Sequence, residues 1–160
     1  VLLIYHAVPR GKFIFKDLLK YAPVVGQFGL RIGCIAVKRG QRGMAIKKML
    51  ADVKSGVALP GQLIIYSQGT RIAPGVKAPY KIGVGALYKE MGQPCYPVAT
   101  NVGVLWPKRG FYRGPGVAVI DFLPVIEPGL PVDQFMKKLQ VDVEIHSDML
   151  AAEAGFNGLT

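Results

Sequence analysis

Cysteine and histidine are scarce in this sequence, and their positions argue against several kinds of site. Among 160 residues there are two cysteines, Cys34 and Cys95, and two histidines, His6 and His146. The cysteines form no Cys-x-x-Cys pair and have no histidine nearby, so their spacing argues against a zinc site. We therefore expect two buried, unpaired thiols in a protein from a reducing compartment.

Long hydrophobic runs are also missing. The longest apolar runs, such as Val1–Tyr5 and Leu63–Tyr66, are far shorter than the roughly 20 residues of a membrane-spanning helix. No basic region precedes an apolar stretch at the start of the chain, so no signal peptide is visible. The first residue is Val1 rather than methionine, which indicates that the true N-terminus lies upstream. An apolar fraction of 51% predicts one folded domain with a substantial core.

Acidic residues are few in most of the chain. Residues 1–130 carry 18 cationic and 5 acidic side chains, whereas residues 131–160 carry 2 and 5, and the formal net charge is +10. A basic excess of this size is typical of a protein that meets nucleic acid, an anionic membrane or phosphate-bearing small molecules. Charge by itself does not distinguish these three partners.

Short β-prone runs alternate with helix-like segments along the chain. We predict strands at Lys12–Lys16, Cys34–Val37, Leu63–Tyr66, Cys95–Thr100 and Val117–Leu123. Helices are predicted at Gly43–Lys54, at Lys81–Met91 before a terminating Gly92, and at Val132–Ala154. This alternation predicts an α/β fold, a single domain with a largely parallel central sheet flanked by helices.

The last predicted helix is amphipathic. One stripe along it carries residues at helical spacing: Phe135, Leu139, Val143, His146 and Leu150. We interpret His146 as a core or helix-packing residue because it belongs to this stripe.

The most informative segment is Leu63–Arg71, Leu-Ile-Ile-Tyr-Ser-Gln-Gly-Thr-Arg. An apolar strand runs directly into a polar tip, and in open α/β sheets ligands bind beyond the carboxyl ends of strands. Gly69 permits close approach of the backbone, and the planar guanidinium of Arg71 suits a phosphate. A surface turn with a solvated arginine explains the same residues equally well.

Tyr66–Arg71 resembles the Phe/Tyr-Pro-Glu-Gly-Thr-Arg block of the glycerophosphate and lysophosphatidate acyltransferases, the PlsC-like family. Further segments resemble other blocks of that family in the right order: Phe13–Leu19 followed by Pro23 and Gly26, Gly33–Arg39, Ala73–Gly75 with Tyr80–Gly83, and Cys95–Ala99. The resemblance covers almost the whole chain. It implies one acyltransferase domain over residues 1–160 that is incomplete at its N-terminus.

Two departures from the family pattern stand out. Gln68 replaces the usual glutamate, which keeps the size and one carbonyl acceptor but loses a charge. The family's His-x4-Asp block, which supplies the general base, is missing, because Gly11 and Ala151 stand five residues after the two histidines. The order of the blocks places it upstream of Val1, so we expect no catalytic residue within this chain.

The resemblance implies acyl transfer from acyl-CoA or acyl carrier protein to lysophosphatidic acid, which gives phosphatidic acid in phospholipid biosynthesis. It implies no metal and no other cofactor, since the acyl donor is a co-substrate. The residues expected to bind the acceptor are Lys16, Arg39, Gln68, Gly69, Thr70 and Arg71. The enzyme is expected at an anionic membrane surface, on the cytoplasmic face of the inner (plasma) membrane, either peripheral or anchored by an upstream segment.

Two groups of basic residues are given no role by the resemblance. Lys38, Arg42, Lys47 and Lys48 form one, and Lys108, Arg109 and Arg113, near Trp106 and Phe111, form the other. A solvated surface explains both, and so does contact with anionic lipid headgroups. Basic residues mixed with aromatics also suit single-stranded nucleic acid, but the ordered acyltransferase blocks favour a protein that does not bind nucleic acid.

Three alternatives remain open from the sequence. The acceptor could be another molecule, such as glycerol 3-phosphate or an ornithine-lipid precursor. The chain could instead be a non-catalytic relative that binds lipid or phosphate and has lost the catalytic block. A basic nucleic-acid-binding module is the third alternative.

Overall fold

The computed structural model describes residues 2–22, 25–31, 34–37, 43–44, 47–48, 51, 60–107 and 113–158. The chain divides into two units, Val1–Ile65 and Tyr66–Thr160. The described residues of the predicted helix Gly43–Lys54 are helical, and the rest of that helix lies outside the described part.

The first unit is built on a parallel sheet. Its elements in chain order are α1 (Leu2–Ala7), β1 (Gly11–Lys16), the 3-10 helix η1 (Asp17–Tyr21), α2 (Val25–Arg31), β2 (Ile35–Val37) and β3 (Gln62–Ile64). The strand order is β2-β1-β3, and both neighbours run parallel to β1. All three strands were predicted from the sequence, with boundaries that differ by one or two residues.

Phe13 and Cys34 are buried in this unit. The Phe13 amide donates a hydrogen bond to Cys34 Sγ at 3.4 Å, so the thiol is held within the fold and Cys34 is buried as predicted. Gly61 lies where a side chain would not fit, because a Cβ there would stand 2.5 Å from the Arg10 carbonyl oxygen. This close approach sets the start of β3, where the Gln62 amide donates to the same carbonyl.

The second unit combines helices with a strand pair. Its elements are α3 (Gly83–Met91), β4 (Val98–Thr100), α4 (Val102–Leu105), β5 (Ile120–Phe122) and α5 (Val132–Glu153). A buried cluster fills its centre: Tyr80, Tyr88, Ile126, Phe135 and Leu139. Helix α5 packs on both β4 and α3.

The α3–α5 crossing depends on a glycine. A Cβ at Gly85 would lie 2.6 Å from Val132 Cγ1 and 3.0 Å from Met136 Cγ, so the two helices approach too closely for any side chain there. Gly92 ends α3 in the left-handed conformation, at φ 56°, with its amide bonded to the Tyr88 carbonyl. The predicted helix end is therefore confirmed, for the reason that the sequence indicated.

The α/β class is confirmed, but β4 and β5 pair antiparallel, with Ala99 opposite Asp121. A parallel pair needs a long crossover connection, usually a helix that packs on the sheet. The described part of the connection between β4 and β5 holds only the four-residue α4. The predicted strand Cys95–Thr100 is also divided, because Pro97 has no N–H for the ladder; Cys95 forms an isolated bridge with Ile126.

The predicted stripe on α5 is confirmed in its first half only. Phe135 and Leu139 are buried, whereas His146 is partly exposed and its Nδ1 lies 3.5 Å from Asp121 Oδ2 on β5. His146 therefore packs against a neighbouring strand and is not part of the core. Cys95 is half-buried, and burial raises the pKa of its thiol to about 11, which leaves it protonated and unreactive at neutral pH.

Candidate functional site

The polar segment that follows β3 forms a tight turn. The Gly69 amide donates to the Tyr66 carbonyl at 2.9 Å, and Gly69 adopts the left-handed conformation, at φ 69°. A residue with a Cβ is strained in that conformation, so glycine is required by the turn itself. The motif therefore has a defined shape, with its polar residues displayed around Gly69.

A second backbone contact fixes this turn from outside. The Lys81 amide, two residues before α3, donates to the Ser67 carbonyl at 2.9 Å. The aliphatic part of the Lys81 side chain passes 3.4 Å from the position of a Cβ on Gly69. Lys81 thus holds the turn through its main chain, and its side chain passes beside the exposed Gly69. The sequence placed Lys81 in a family block without indicating this contact.

The predicted residues of the turn differ in exposure. Gln68 is half-buried, whereas Gly69, Thr70 and Arg71 are exposed. Burial raises the pKa of the neighbouring Tyr66 hydroxyl, so this phenol stays neutral. The hydroxyl of Thr70 and the guanidinium of Arg71 are accessible from solvent, and the two groups can bind an anion that approaches the turn.

The segment after Arg71 is held by close packing. Gly75 has φ 75°, and a Cβ there would lie 2.6 Å from the Gly158 carbonyl oxygen and 3.2 Å from Phe156 Cε1. On the other side, Pro74 Cγ would lie 3.4 Å from a Cβ on Gly103, in α4. Residues near the C-terminus therefore support the loop, and no pattern in the sequence pointed to them.

Within the first unit, the parallel register places Lys16 at the carboxyl edge of the sheet. Lys16, the last residue of β1, pairs with Val37, the last residue of β2. The side chain of Lys16 and all of Arg39 lie outside the described part of the structure. The roles of both residues in binding an acceptor stay predictions.

Neither histidine lies in a catalytic arrangement of the predicted type. His6 is exposed on the short helix α1, and His146 on α5 faces Asp121. Across residues 2–158, as far as they are described, no three His, Cys, Asp or Glu side chains come together as metal ligands.

The structure describes only some residues of the two basic segments. Lys47 and Lys48 are exposed, whereas Lys38 and Arg42 lie outside the described residues. In the other segment Trp106 is exposed and the Arg113 guanidinium stacks over its indole, 4.1 Å from the ring centroid; Lys108 and Arg109 lie outside the described residues. None of the described helices has the length and apolar character needed to cross a bilayer.

Comparison with known proteins gives three concordant results. The acyltransferase family matches residues 1–101 of this chain. A 1-acyl-sn-glycerol-3-phosphate acyltransferase of Pseudomonas aeruginosa is 29% identical over 118 residues, which cover 74% of this chain and 46% of that protein. The crystal structure of the 1-acyl-sn-glycerophosphate (LPA) acyltransferase PlsC of Thermotoga maritima has a similar fold, with a TM-score of 0.74 and 21% identity.

The structural match covers 89% of this chain and 58% of the Thermotoga protein. This chain therefore spans about half the length of the relatives it matches. The family match, in contrast, extends over more than half of the 160 residues and includes the turn around Gly69. The chain belongs to the acyltransferase family.

Proposed function

We propose that this protein transfers an acyl group from acyl-CoA or acyl carrier protein to the free hydroxyl of lysophosphatidic acid, which gives phosphatidic acid. The observation that carries the proposal is the turn at residues 66–71, an acyltransferase block whose exposed Thr70 and Arg71 follow a parallel strand. The Pseudomonas relative is a 1-acyl-sn-glycerol-3-phosphate acyltransferase by name, which supports the choice of acceptor.

In this proposal the acceptor phosphate is bound by cationic side chains. Arg71 offers two parallel N–H donors to a phosphate monoester, a geometry that a lysine does not provide. We expect Lys16 and Arg39 to add positive charge for the acceptor phosphate, as the family resemblance implies. Gly69 lets the acceptor approach the main chain, and Gln68 and Thr70 supply hydrogen bonds to its glycerol part.

The chemical step is a direct attack. The acceptor hydroxyl attacks the thioester carbonyl, the new ester C–O bond forms, and the C–S bond breaks to release the thiol of the donor. The hydroxyl proton passes to the histidine of a His-x4-Asp block, expected upstream of Val1, and then to the departing sulfur. Binding of the phosphate orients the hydroxyl next to the thioester, which converts a bimolecular encounter into a positioned reaction. We expect no metal or other cofactor.

The proposed location is the cytoplasmic face of the inner membrane, at a surface of anionic lipid. The acyl tail of the acceptor stays in the bilayer while its headgroup reaches Arg71. The excess of cationic residues over residues 1–130 supports such a location, because each exposed lysine or arginine near an anionic leaflet contributes about 1 kcal/mol.

Replacement of Arg71 tests the proposal directly. Arg71→Ala should weaken the binding of a soluble short-chain lysophosphatidate to this chain by roughly ten- to a hundredfold, since a hydrogen bond to a charged group contributes about 1.5–3 kcal/mol. Isothermal titration calorimetry measures the change in Kd. Lys89→Ala is the matched control, because it removes one exposed cation from the last turn of α3 in the same unit.

We expect the Lys89 variant to bind as the unmodified chain does. Equal affinity of all three proteins would contradict the proposed role of Arg71. The segment would then be a surface turn with a solvated arginine. Thermal unfolding of each variant shows whether a change in affinity reflects a change in folding.

A further inference from the structure

The elements that follow β1 expose several large apolar side chains. Helices η1 and α2 pack against each other, and together they form what we call the 17–31 segment. Leu18 is 78% exposed and Tyr21 73% exposed on η1, and Phe28 is 63% and Leu30 48% exposed on α2. Single exposed apolar residues are ordinary on a protein surface, but four large ones on two packed helical elements call for a physical explanation.

The geometry of η1 separates apolar from charged side chains. A 3-10 helix has three residues per turn, so Leu18 and Tyr21 lie one above the other on the same face. Asp17 and Lys20 share another face, where their side chains form an ion pair of 2.9 Å. Lys20 Nζ also lies 4.8 Å from the centroid of the Tyr21 ring. The exposed aromatic side chain is therefore bordered by a cation.

The charge around this segment favours one kind of occupant. Residues 1–65 carry 11 cationic and 2 acidic side chains, and Lys20 and Arg31 belong to the segment itself. Apolar and aromatic side chains bordered by cations are typical of a surface that lies in the headgroup region of an anionic bilayer. A strongly basic partner protein is disfavoured by the same charges.

A second exposed apolar stripe lies on α5 and differs in this respect. Val141, Ile145 and Met149 are exposed at intervals of four residues, but residues 131–160 carry 2 cationic and 5 acidic side chains. Anionic headgroups repel such a surface. The α5 stripe thus provides a control of similar apolarity and opposite charge within the same chain.

We propose that the 17–31 segment docks on the surface of an anionic lipid bilayer, with Leu18, Tyr21 and Phe28 inserted among the headgroups and Lys20 and Arg31 beside their phosphates. The segment begins immediately after Lys16, at the carboxyl edge of the parallel sheet. Docking there brings this edge close to the bilayer. The inference extends the proposed function, since it identifies the surface through which a lipid-using acyltransferase reaches its acceptor.

Single-tryptophan variants test the proposal. Trp106 is the one tryptophan of the sequence, so the Trp106→Phe variant has no tryptophan fluorescence. Adding Phe28→Trp or Ile145→Trp to this variant then places a single fluorescent tryptophan at the position to be tested. With vesicles of phosphatidylglycerol and phosphatidylcholine, tryptophan at position 28 should shift its emission to the blue and be quenched by brominated lipid. Tryptophan at position 145, on the α5 stripe, should keep its water-exposed emission in the same vesicles.

In the unmodified chain, the emission of Trp106 shows whether the basic segment around Trp106 and Arg113 also contacts the vesicles. Binding of the anionic vesicles without any spectral change at position 28, or no binding at all, would overturn the proposal. A blue shift at position 28 that follows protein concentration in the absence of lipid would also overturn it, because the segment would then be an interface between two copies.

Co-sedimentation with the same vesicles gives a second measurement. Replacement of Leu18, Tyr21 and Phe28 by serine should lower partitioning about tenfold or more, because it removes the apolar area that inserts. Serine at Val141, Ile145 and Met149 should leave partitioning unchanged. Raised salt should weaken binding, since exposed charges are screened beyond about 10 Å at 0.1 M ionic strength.

Equal partitioning of the two triple variants would contradict the proposal. None of these measurements involves acyl transfer or soluble lysophosphatidate, so their failure is distinguishable from failure of the proposed acceptor site at Arg71.

Discussion

Incubated with labelled acyl-CoA and lysophosphatidate, the 160-residue chain should yield no phosphatidate above background. The reaction needs a general base to take the acceptor proton, and such a base typically contributes about 10²–10⁴-fold to the rate. Neither histidine has an aspartate five residues later. His6 is exposed on a short helix, and His146 Nδ1 lies 3.5 Å from Asp121 Oδ2 on β5.

A complete 1-acyl-sn-glycerol-3-phosphate acyltransferase under the same conditions is the positive control. Turnover by this chain that approaches the control would mean that the base lies within residues 1–160. His6→Ala and His146→Ala would then identify it, and the assignment of the base to an upstream block would be wrong.

Phe135→Ala should lower the free energy of unfolding by about 3–5 kcal/mol, the usual range when a buried phenylalanine is truncated. Phe135 is 0% exposed, and its ring stacks on Tyr88 with 3.8 Å between centroids. The Tyr88 hydroxyl donates to the Glu127 carbonyl and accepts from the Leu130 amide. Loss of the phenyl ring therefore leaves a cavity beside the side chain that ties α3 to residues 127–130.

Urea unfolding followed by circular dichroism measures the loss. Val141→Ala on the same helix is the control, because Val141 is exposed and exposed substitutions usually change stability by less than about 0.5 kcal/mol. Similar losses in the two variants would contradict the assignment of Phe135 to the core of the second unit.

The sequence predicted correctly those elements whose conformation is determined by residues close together in the chain. Short β-prone runs predicted the three parallel strands of the first unit, and Gly92 predicted the end of α3. The antiparallel β4–β5 pairing was not predictable in the same way, because it depends on how the connecting residues run in space. His146 has the spacing of a core residue, but its neighbour on β5 is an aspartate, which lies 25 residues earlier in the sequence.

In the candidate site, too, the features determined by nearby residues were predictable and those that depend on distant segments were not. The left-handed turn at Gly69 follows from the residues of the turn, and the sequence singled it out. The contacts of Lys81 and Gly158 could not be predicted in this way, because every residue type has a main-chain carbonyl and nearly every one a main-chain amide. Such contacts arise from the packing of distant segments. The contributions of Lys16 and Arg39 to acceptor binding stay predictions.

Headgroup selectivity in binding is the measurement that tests the central claim most directly. Lysophosphatidate ends in a phosphate monoester, whereas the phosphate of lysophosphatidylcholine with the same acyl chain is a diester that keeps one negative charge beside the positive charge of the choline. If Arg71 binds the acceptor phosphate, calorimetric titration of soluble short-chain forms should show roughly tenfold or greater preference for lysophosphatidate, as expected for loss of one charge-assisted hydrogen bond. Equal Kd values for the two lysolipids would contradict the account.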